Sequence, residues 1–161
     1  MGKNNLLYRY LSLNPFLKGN IEIGIIIVFG IISNIFKLFK MPFFPISSII
    51  GGVFLVFSFL FHAYCEKYHK QAHNKTSKIE IVVTKGVYSK IRHPIYLSLM
   101  VMYVGTALIF NSWLSLFFGF IFSLSWMLTS IIEEEQLLKK FNGEYKEYMK
   151  NVRWRIIPGI F

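Results

Sequence analysis

The sequence predicts an all-α integral membrane protein with about four transmembrane helices, two of them forming a helical hairpin. It also predicts a polar loop and an amphipathic C-terminal helix outside the membrane. The 161 residues are 54% hydrophobic and only 16% charged, and the charged residues cluster. Long runs almost without charge between such clusters are typical of transmembrane helices. The length fits a single domain over residues 1–161, with an N-terminal two-span region at 1–64 and a second region at 65–161.

Four apolar segments account for the predicted spans: residues 21–39, 46–64, 95–110 and 112–132. A helix needs roughly 20 residues to cross the hydrocarbon, which the first, second and fourth segments provide. The third is short, so we expect it to recruit residues at its ends or to lie where the bilayer is thinned. Asn111 alone separates the third segment from the fourth, which predicts a tight helical hairpin.

The basic residues orient these spans. With four spans, the N-terminus, the central loop and the tail share one side, which holds all but Lys37 and Lys40 of the 18 lysines and arginines. The positive-inside rule places that side in the cytoplasm. The net charge of +10 therefore mainly reflects the orientation of the spans in the membrane, with some attraction to anionic lipids. It does not indicate nucleic-acid binding. The first span is too long for a signal-peptide core, which predicts a retained anchor in the bilayer.

The central loop ends in the stretch SKIRHPIYLSL, residues 89–99. Pro94 suits the first turn of a helix, and it restricts the backbone of His93 just before it. Tyr96 then falls in the first turn, where the helix end attracts anionic groups. Two alternatives stay open: His93 has a purely structural role, and Arg92 snorkels to lipid phosphates. Upstream, residues 79–83 are β-branched and predicted to be extended.

The tail begins with three carboxylates, Glu133 to Glu135, directly after the fourth span. The alternative to a functional role is a solvated face that pairs with Lys139 and Lys140. Apolar residues then recur at helical spacing and predict the amphipathic helix: Leu137, Leu138, Phe141, Tyr145, Tyr148 and Met149. The two tyrosines are expected to be interfacial anchors. His69 and His73 have metal-binding spacing without a third ligand nearby, so we expect no metal site.

Taken together, GVYSKIRHPIY, the hairpin, the glutamates, EYKEY and a late IP resemble a family of membrane methyltransferases, the isoprenylcysteine carboxyl methyltransferases and phospholipid methyltransferases. The family pattern is Gly-x-Tyr, Arg-His-Pro-x-Tyr, a helical hairpin, Glu-Glu, then Phe-Gly-x-x-Tyr-x-x-Tyr. The match covers residues 79–158, half of the chain.

The resemblance implies S-adenosylmethionine as methyl donor, bound at the cytoplasmic face between loop and tail, so that residues 65–161 form the cofactor-binding region. The implied cofactor contacts are His73, Glu80, Ile81, Val82, Val83, Tyr88, His93, Pro94, Ile95, Tyr96 and Glu133, with positioning assigned to His93, Tyr96 and Glu133. The implied substrate contacts are Arg92, Thr129 and Glu134. The implied partners are the lipid bilayer and a lipidic or small-molecule acceptor, in the plasma membrane of a prokaryote or the endoplasmic reticulum of a eukaryote.

Three positions depart from the family pattern. Ser98 replaces a frequent glycine, the Phe-Gly of the tail becomes Phe141-Asn142-Gly143, and Thr129 replaces an arginine associated with the lipid acceptor. The expected reaction is methylation of a membrane-soluble carboxylate of the prenylcysteine type. The alternatives are N- or S-methylation of a phospholipid or other small molecule, and a catalytically silent lipid-binding protein of the same fold.

Overall fold

The computed structural model describes residues 5–71 and 74–161 of the chain. Within these ranges the protein has six α-helices and no strand. The helices are α1 (Leu6–Leu11), α2 (Pro15–Ile35), α3 (Ile46–Tyr68), α4 (Pro94–Ile109), α5 (Trp113–Phe141) and α6 (Gly143–Asn151). Short 3₁₀ turns at Thr76–Lys78 and Gly86–Ser89 interrupt the loop between α3 and α4. The predicted all-α membrane fold is confirmed.

Three of the helices, α2, α3 and α5, are long and apolar enough to cross a membrane, whereas α4 is a shorter apolar helix. The short third span was predicted, and it lies at the centre of the bundle. α4 packs against α2, α3 and α5. The seam between α3 and α4 is tight, because a Cβ on Gly51 would lie 2.6 Å from the carbonyl oxygen of Gly105.

The helix ends follow from local capping. Asn14 accepts a hydrogen bond from the Leu17 amide, so α2 begins at Pro15, six residues before the predicted start of the first span. Asn111, at φ +51°, forms the expected tight turn between α4 and α5, and the Ser112 hydroxyl caps α5.

The prediction of one amphipathic helix over the tail is wrong in its boundaries. α5 continues past Ile132 for two and a half turns to Phe141, because the apolar spacing of the tail extends the membrane helix directly. Asn142, at φ +42°, ends α5, and α6 begins at Gly143. The inserted Asn142 of the Phe-Asn-Gly sequence is therefore the bend between two helices.

A buried polar cluster joins α1, α2, α4 and α5; we call it the Glu22 cluster. Glu22 is 0% exposed and accepts hydrogen bonds from the Tyr103 hydroxyl (2.5 Å), the Trp126 indole (2.7 Å), the Ser125 hydroxyl (3.0 Å) and the Tyr10 hydroxyl. The Lys18 ammonium lies 4.0 Å from the Glu22 carboxylate and 4.1 Å from the centre of the Trp126 ring. Glu22 is the second residue of the first predicted span, and the structure places it where four helices meet.

Candidate functional site

A cavity of about 540 Å³, counted with its open mouth, lies at the amino end of α4. Its walls come from the loop at residues 79–83, the first turn of α4, Glu133 on α5, and α6. The Gly86–Ser89 turn shapes the loop side: Gly86 has φ +62°, and a Cβ there would lie 2.6 Å from the Tyr68 ring. Loop and tail thus meet at one end of the bundle, as the sequence predicted.

Backbone pairing with the tail holds the Arg92-His93-Pro94 segment in place. The amide of Arg92 donates to the Trp154 carbonyl (3.0 Å), and the amide of His93 donates to the Arg155 carbonyl (2.8 Å). Pro94 is the first residue of α4, and it has no amide hydrogen to lose at this position. The histidine therefore enters the helix with its backbone fixed from both sides.

Glu134 is the centre of an ionic group that we call the Glu134 cluster. It is 2% exposed and accepts hydrogen bonds from Arg92 Nε (2.7 Å) and Arg155 Nε (2.9 Å), and His93 Nε2 lies 3.1 Å from it. A buried carboxylate needs such partners, because burying an unpaired charge is costly. The interpretation of the glutamate run as a solvated face is wrong for Glu134.

The Arg92 guanidinium also donates hydrogen bonds to backbone carbonyls of the tail. Its Nη1 donates to the carbonyls of Val152 (2.7 Å) and Arg153 (2.8 Å), in addition to the bonds from its Nε and Nη2 to Glu134. The alternative of an arginine that snorkels to lipid phosphates is wrong, because the side chain is buried against the tail. Substrate contacts by Arg92 and Glu134 stay predictions.

Glu133 faces the cavity beside Glu134. It accepts a hydrogen bond from the Tyr96 hydroxyl (2.5 Å) and one from the Thr76 hydroxyl (3.4 Å), and its Oε2 lies 3.5 Å from His93 Nδ1. The His93 and Tyr96 rings stack, with centroids 5.1 Å apart. His93 therefore bridges the two glutamates through its two ring nitrogens.

Most of the residues predicted to contact a cofactor line this cavity: Ile81, Val82, Val83, Tyr88, His93, Ile95, Tyr96 and Glu133. Pro94 is buried behind them and does not line the cavity. Glu80 is exposed and pairs with Gln71 instead, through its amide (2.9 Å) and its carboxylate (3.3 Å). His73 lies outside the described residues. The cofactor contacts themselves stay predictions.

Five further residues line the cavity that the sequence did not assign to it: His69, Ile79, Leu137, Tyr145 and Tyr148. The expectation that Tyr145 and Tyr148 are interfacial anchors is wrong, because both are buried in a cluster with Ile79 and Leu137. The Tyr148 hydroxyl donates to the Tyr88 carbonyl (2.7 Å). Burial raises the pKa of both tyrosines, so they stay neutral. The spacing of Tyr145 and Tyr148 could have indicated that both face the cavity, since positions i and i+3 lie on the same face of a helix.

Two of the positions that depart from the family pattern are occupied by buried hydroxyls. The Thr129 hydroxyl accepts a hydrogen bond from Lys18 Nζ (2.6 Å), so an ammonium from α2 lies beside this position. The Ser98 hydroxyl donates to the Ile95 carbonyl (2.6 Å) and lies 2.7 Å from His62 Nδ1.

Comparison with known proteins defines the class. A model of the phospholipid methyltransferase family matches residues 41–144, more than half of the chain. The chain belongs to this family, and the resemblance drawn from its motifs is confirmed.

Two curated relatives are both called protein-S-isoprenylcysteine O-methyltransferase. The chain is 40% identical to the one from Dictyostelium discoideum over 83 residues, 50% of the chain. It is 29% identical to the one from Schizosaccharomyces pombe over 80 residues, 49% of the chain. Each match spans 34% of the relative's length.

Proposed function

We propose that this protein transfers a methyl group from S-adenosylmethionine to a carboxylate of a lipid-like, prenylcysteine-type acceptor. The observation that carries the proposal is the cavity at the amino end of α4, whose walls bring the Arg-His-Pro-x-Tyr motif and Glu133 together. The two curated relatives, named for O-methylation of isoprenylcysteine, support the choice of acceptor.

The residues of the cavity suit the chemistry of this donor. Glu133 offers a carboxylate to a cationic sulfonium or ammonium group, and the hydrogen bond from Tyr96 holds it in place. The side chain of His93 makes no capping hydrogen bond to the first turn of α4, so this helix end suits the donor's own carboxylate. Apolar and aromatic side chains, among them Ile79, Val82 and Tyr88, supply a surface against which the adenine base of the donor can pack.

The protein contributes to methyl transfer by positioning the donor and the acceptor and by excluding water. The bound donor supplies an electrophilic methyl carbon, and an acceptor carboxylate attacks it directly without prior loss of a proton. The burial of Tyr96, Tyr145 and Tyr148 around the cavity limits the access of water to the reacting groups.

One observation favours a second candidate, methylation of an amine such as a phospholipid headgroup. His93 touches both Glu133 and Glu134, so these three side chains form a connected group that can accept the proton an amine must lose. A carboxylate acceptor makes no use of this capacity. Identification of the product formed from a radiolabelled donor in membrane extracts separates the two candidates.

Donor binding is the first test. His93→Ala and Tyr96→Phe should each weaken the affinity for S-adenosylmethionine by about 1–2 kcal/mol, because each removes a hydrogen-bonding group at the cavity. Titration calorimetry on the purified protein measures this. Tyr64→Phe is the matched control, because Tyr64 is exposed on α3 and does not line the cavity. Unchanged affinity in both cavity variants would leave His93 with a structural role only.

The cavity is further proposed to face the cytoplasm, because the end of the bundle that carries it holds most of the basic residues. In a Cys65→Ala background, an impermeant thiol reagent added outside should label Trp113→Cys and spare Lys78→Cys. Trp113 is exposed at the hairpin turn, whereas Asn111 beside it is only 5% exposed and makes a poor probe site. Labelling in the reverse pattern would invert the topology.

A further inference from the structure

A second cavity, of about 550 Å³ counted with its mouth, lies directly beside the first. Tyr96 and Glu133 line both cavities, so the hydrogen bond between them forms part of a shared wall. The remaining walls come from the joint between α1 and α2, the turn at Lys75–Ser77 and the side of α5 that carries Thr129. The two cavities meet at Tyr96 and Glu133, so a molecule in the second cavity can approach a donor in the first.

The wall formed by residues 8–15 lies outside the segment that matches the family, residues 41–144. The first cavity is built from the loop, α4, α5 and the tail, most of it inside that segment. The α1–α2 joint therefore adds contacts to the second cavity from outside the segment that matches the family.

Ser12, at the joint of α1 and α2, supplies an independent sign of a ligand. It lines the second cavity, and its hydroxyl oxygen is buried without a hydrogen-bond partner. Every other buried side-chain nitrogen or oxygen among residues 5–71 and 74–161 has a hydrogen-bond partner. Buried polar groups are nearly always paired, so an unpaired hydroxyl on a cavity wall is a candidate ligand contact.

The charges around the second cavity favour an anionic group. Lys75 lies on its exposed side, and the Lys18 ammonium lies behind Thr129, which it contacts at 2.6 Å. Glu133 is the one carboxylate among the described lining residues, and it also faces the first cavity, where a cationic donor would balance its charge. Leu11, Leu13 and Pro15 form an apolar part of the wall, next to the start of a membrane-spanning helix.

We infer that the second cavity holds the carboxylate head of the methyl acceptor, with Ser12 and Lys75 as its contacts. The apolar chain of the acceptor leaves along Leu11, Leu13 and Pro15 towards the bilayer. One carboxylate oxygen forms a bond to the methyl carbon while the carbon–sulfur bond breaks, and the electron pair of that bond stays on sulfur. No proton or further reactant is needed. This assignment rests on the proposed function, since it names the place where the acceptor of that reaction binds.

The test measures binding separately from turnover. The probe is N-acetyl-S-farnesylcysteine, compared with its carboxamide, which lacks the negative charge. Affinity is measured on the detergent-purified protein saturated with S-adenosylhomocysteine, so that no reaction can occur. We expect the acid to bind at least tenfold more tightly than the amide. Ser12→Ala and Lys75→Gln should each weaken the binding of the acid at least fivefold while leaving the affinity for S-adenosylhomocysteine unchanged.

Two matched controls lie outside the cavity. Lys78→Gln removes an exposed lysine three positions from Lys75, and Ser48→Ala removes a half-buried serine hydroxyl on α3 that donates to the Ile109 carbonyl. Both should bind the acid as the unmodified protein does. Unchanged binding in Ser12→Ala and Lys75→Gln, or a loss of S-adenosylhomocysteine affinity in them, would overturn the assignment.

Methyl transfer to the same probe separates the two proposals. Transfer with a normal Michaelis constant in Ser12→Ala and Lys75→Gln would overturn the acceptor site and keep the proposed function. The predicted binding pattern without any transfer would support the site and overturn carboxyl methylation. If the unmodified protein binds neither N-acetyl-S-farnesylcysteine nor its carboxamide, both proposals fail.

Discussion

Two carboxylates of this protein are buried to the same extent in different surroundings. Glu134 meets two guanidinium groups and a histidine ring, all within 3.1 Å. Glu22 lies about 12 Å away along the bundle, because its partner Trp126 is eight positions before Glu134 on α5 and each position adds about 1.5 Å. Its close partners are neutral hydroxyl and indole donors, and the Lys18 ammonium lies 4.0 Å away.

The difference follows from where each carboxylate lies in the fold. At the end of the bundle, the tail folds back and brings Arg155 close to Glu134. It also supplies the carbonyls that fix Arg92, so the carboxylate is paired with two guanidinium groups. Between α2, α4 and α5, the available groups are those of membrane helices, and the charge is spread over several neutral donors. The two clusters should therefore respond differently when the carboxylate charge is removed.

The largest effect is expected at Glu134. Glu134→Gln leaves Arg92 and Arg155 without a counterion, and breaking a buried ion pair on one side costs about 3–5 kcal/mol. The free energy of unfolding should fall by this amount, with loss of donor binding as the tail detaches from the loop. Thermal unfolding in detergent measures it. The control is Glu135→Gln, which is exposed and should change stability by less than about 1 kcal/mol. Equal, small effects would show that the ionic cluster contributes little.

A smaller effect, on binding rather than stability, is expected at Glu133. Glu133→Gln removes a charge-assisted contact to the donor worth roughly 1.5–3 kcal/mol, so donor affinity should fall tenfold or more. Stability should change little, because Glu133 contacts the Tyr96 and Thr76 hydroxyls and a His93 nitrogen at 3.5 Å, whereas Glu134 pairs with guanidinium groups. Calorimetric titration beside Glu135→Gln measures the difference. A large loss of affinity in the Glu135 variant alone would mean that the paired glutamates of the family align further along the chain.

The smallest of the three effects is expected at Glu22. Glu22→Gln keeps an oxygen that can accept from Tyr103 and Trp126, so the loss of stability should be about 1–2 kcal/mol. Adding Lys18→Met should recover part of this loss, because it removes a buried cation that has lost the neighbouring carboxylate. Thermal unfolding of the single and double variants measures both. If Glu22→Gln costs as much as Glu134→Gln, the contrast between the two clusters fails.

Much of the site was predictable because it is local. The Arg-His-Pro-x-Tyr motif fixes a helix start through Pro94, and the positions of His93 and Tyr96 follow from one turn of helix. The side of the loop that faces the cavity, residues 81–83, was assigned from the resemblance, and the structure places it at the cavity. Glu80, one residue earlier, could not be excluded from the sequence, because its pairing with Gln71 depends on how the loop folds back.

The sequence by itself determined the membrane class, the hairpin at Asn111, the family and the end of the bundle where polar chemistry gathers. These properties follow from apolar segment length, charge distribution and motif spacing, which act along the chain. Only the tertiary structure decided that Tyr145 and Tyr148 are buried, that Glu134 pairs with Arg92 and Arg155, and that Lys18 lies beside Thr129, 111 positions away. Each of these depends on contacts between segments distant in sequence, and the packing of α2, α5 and the tail sets such contacts.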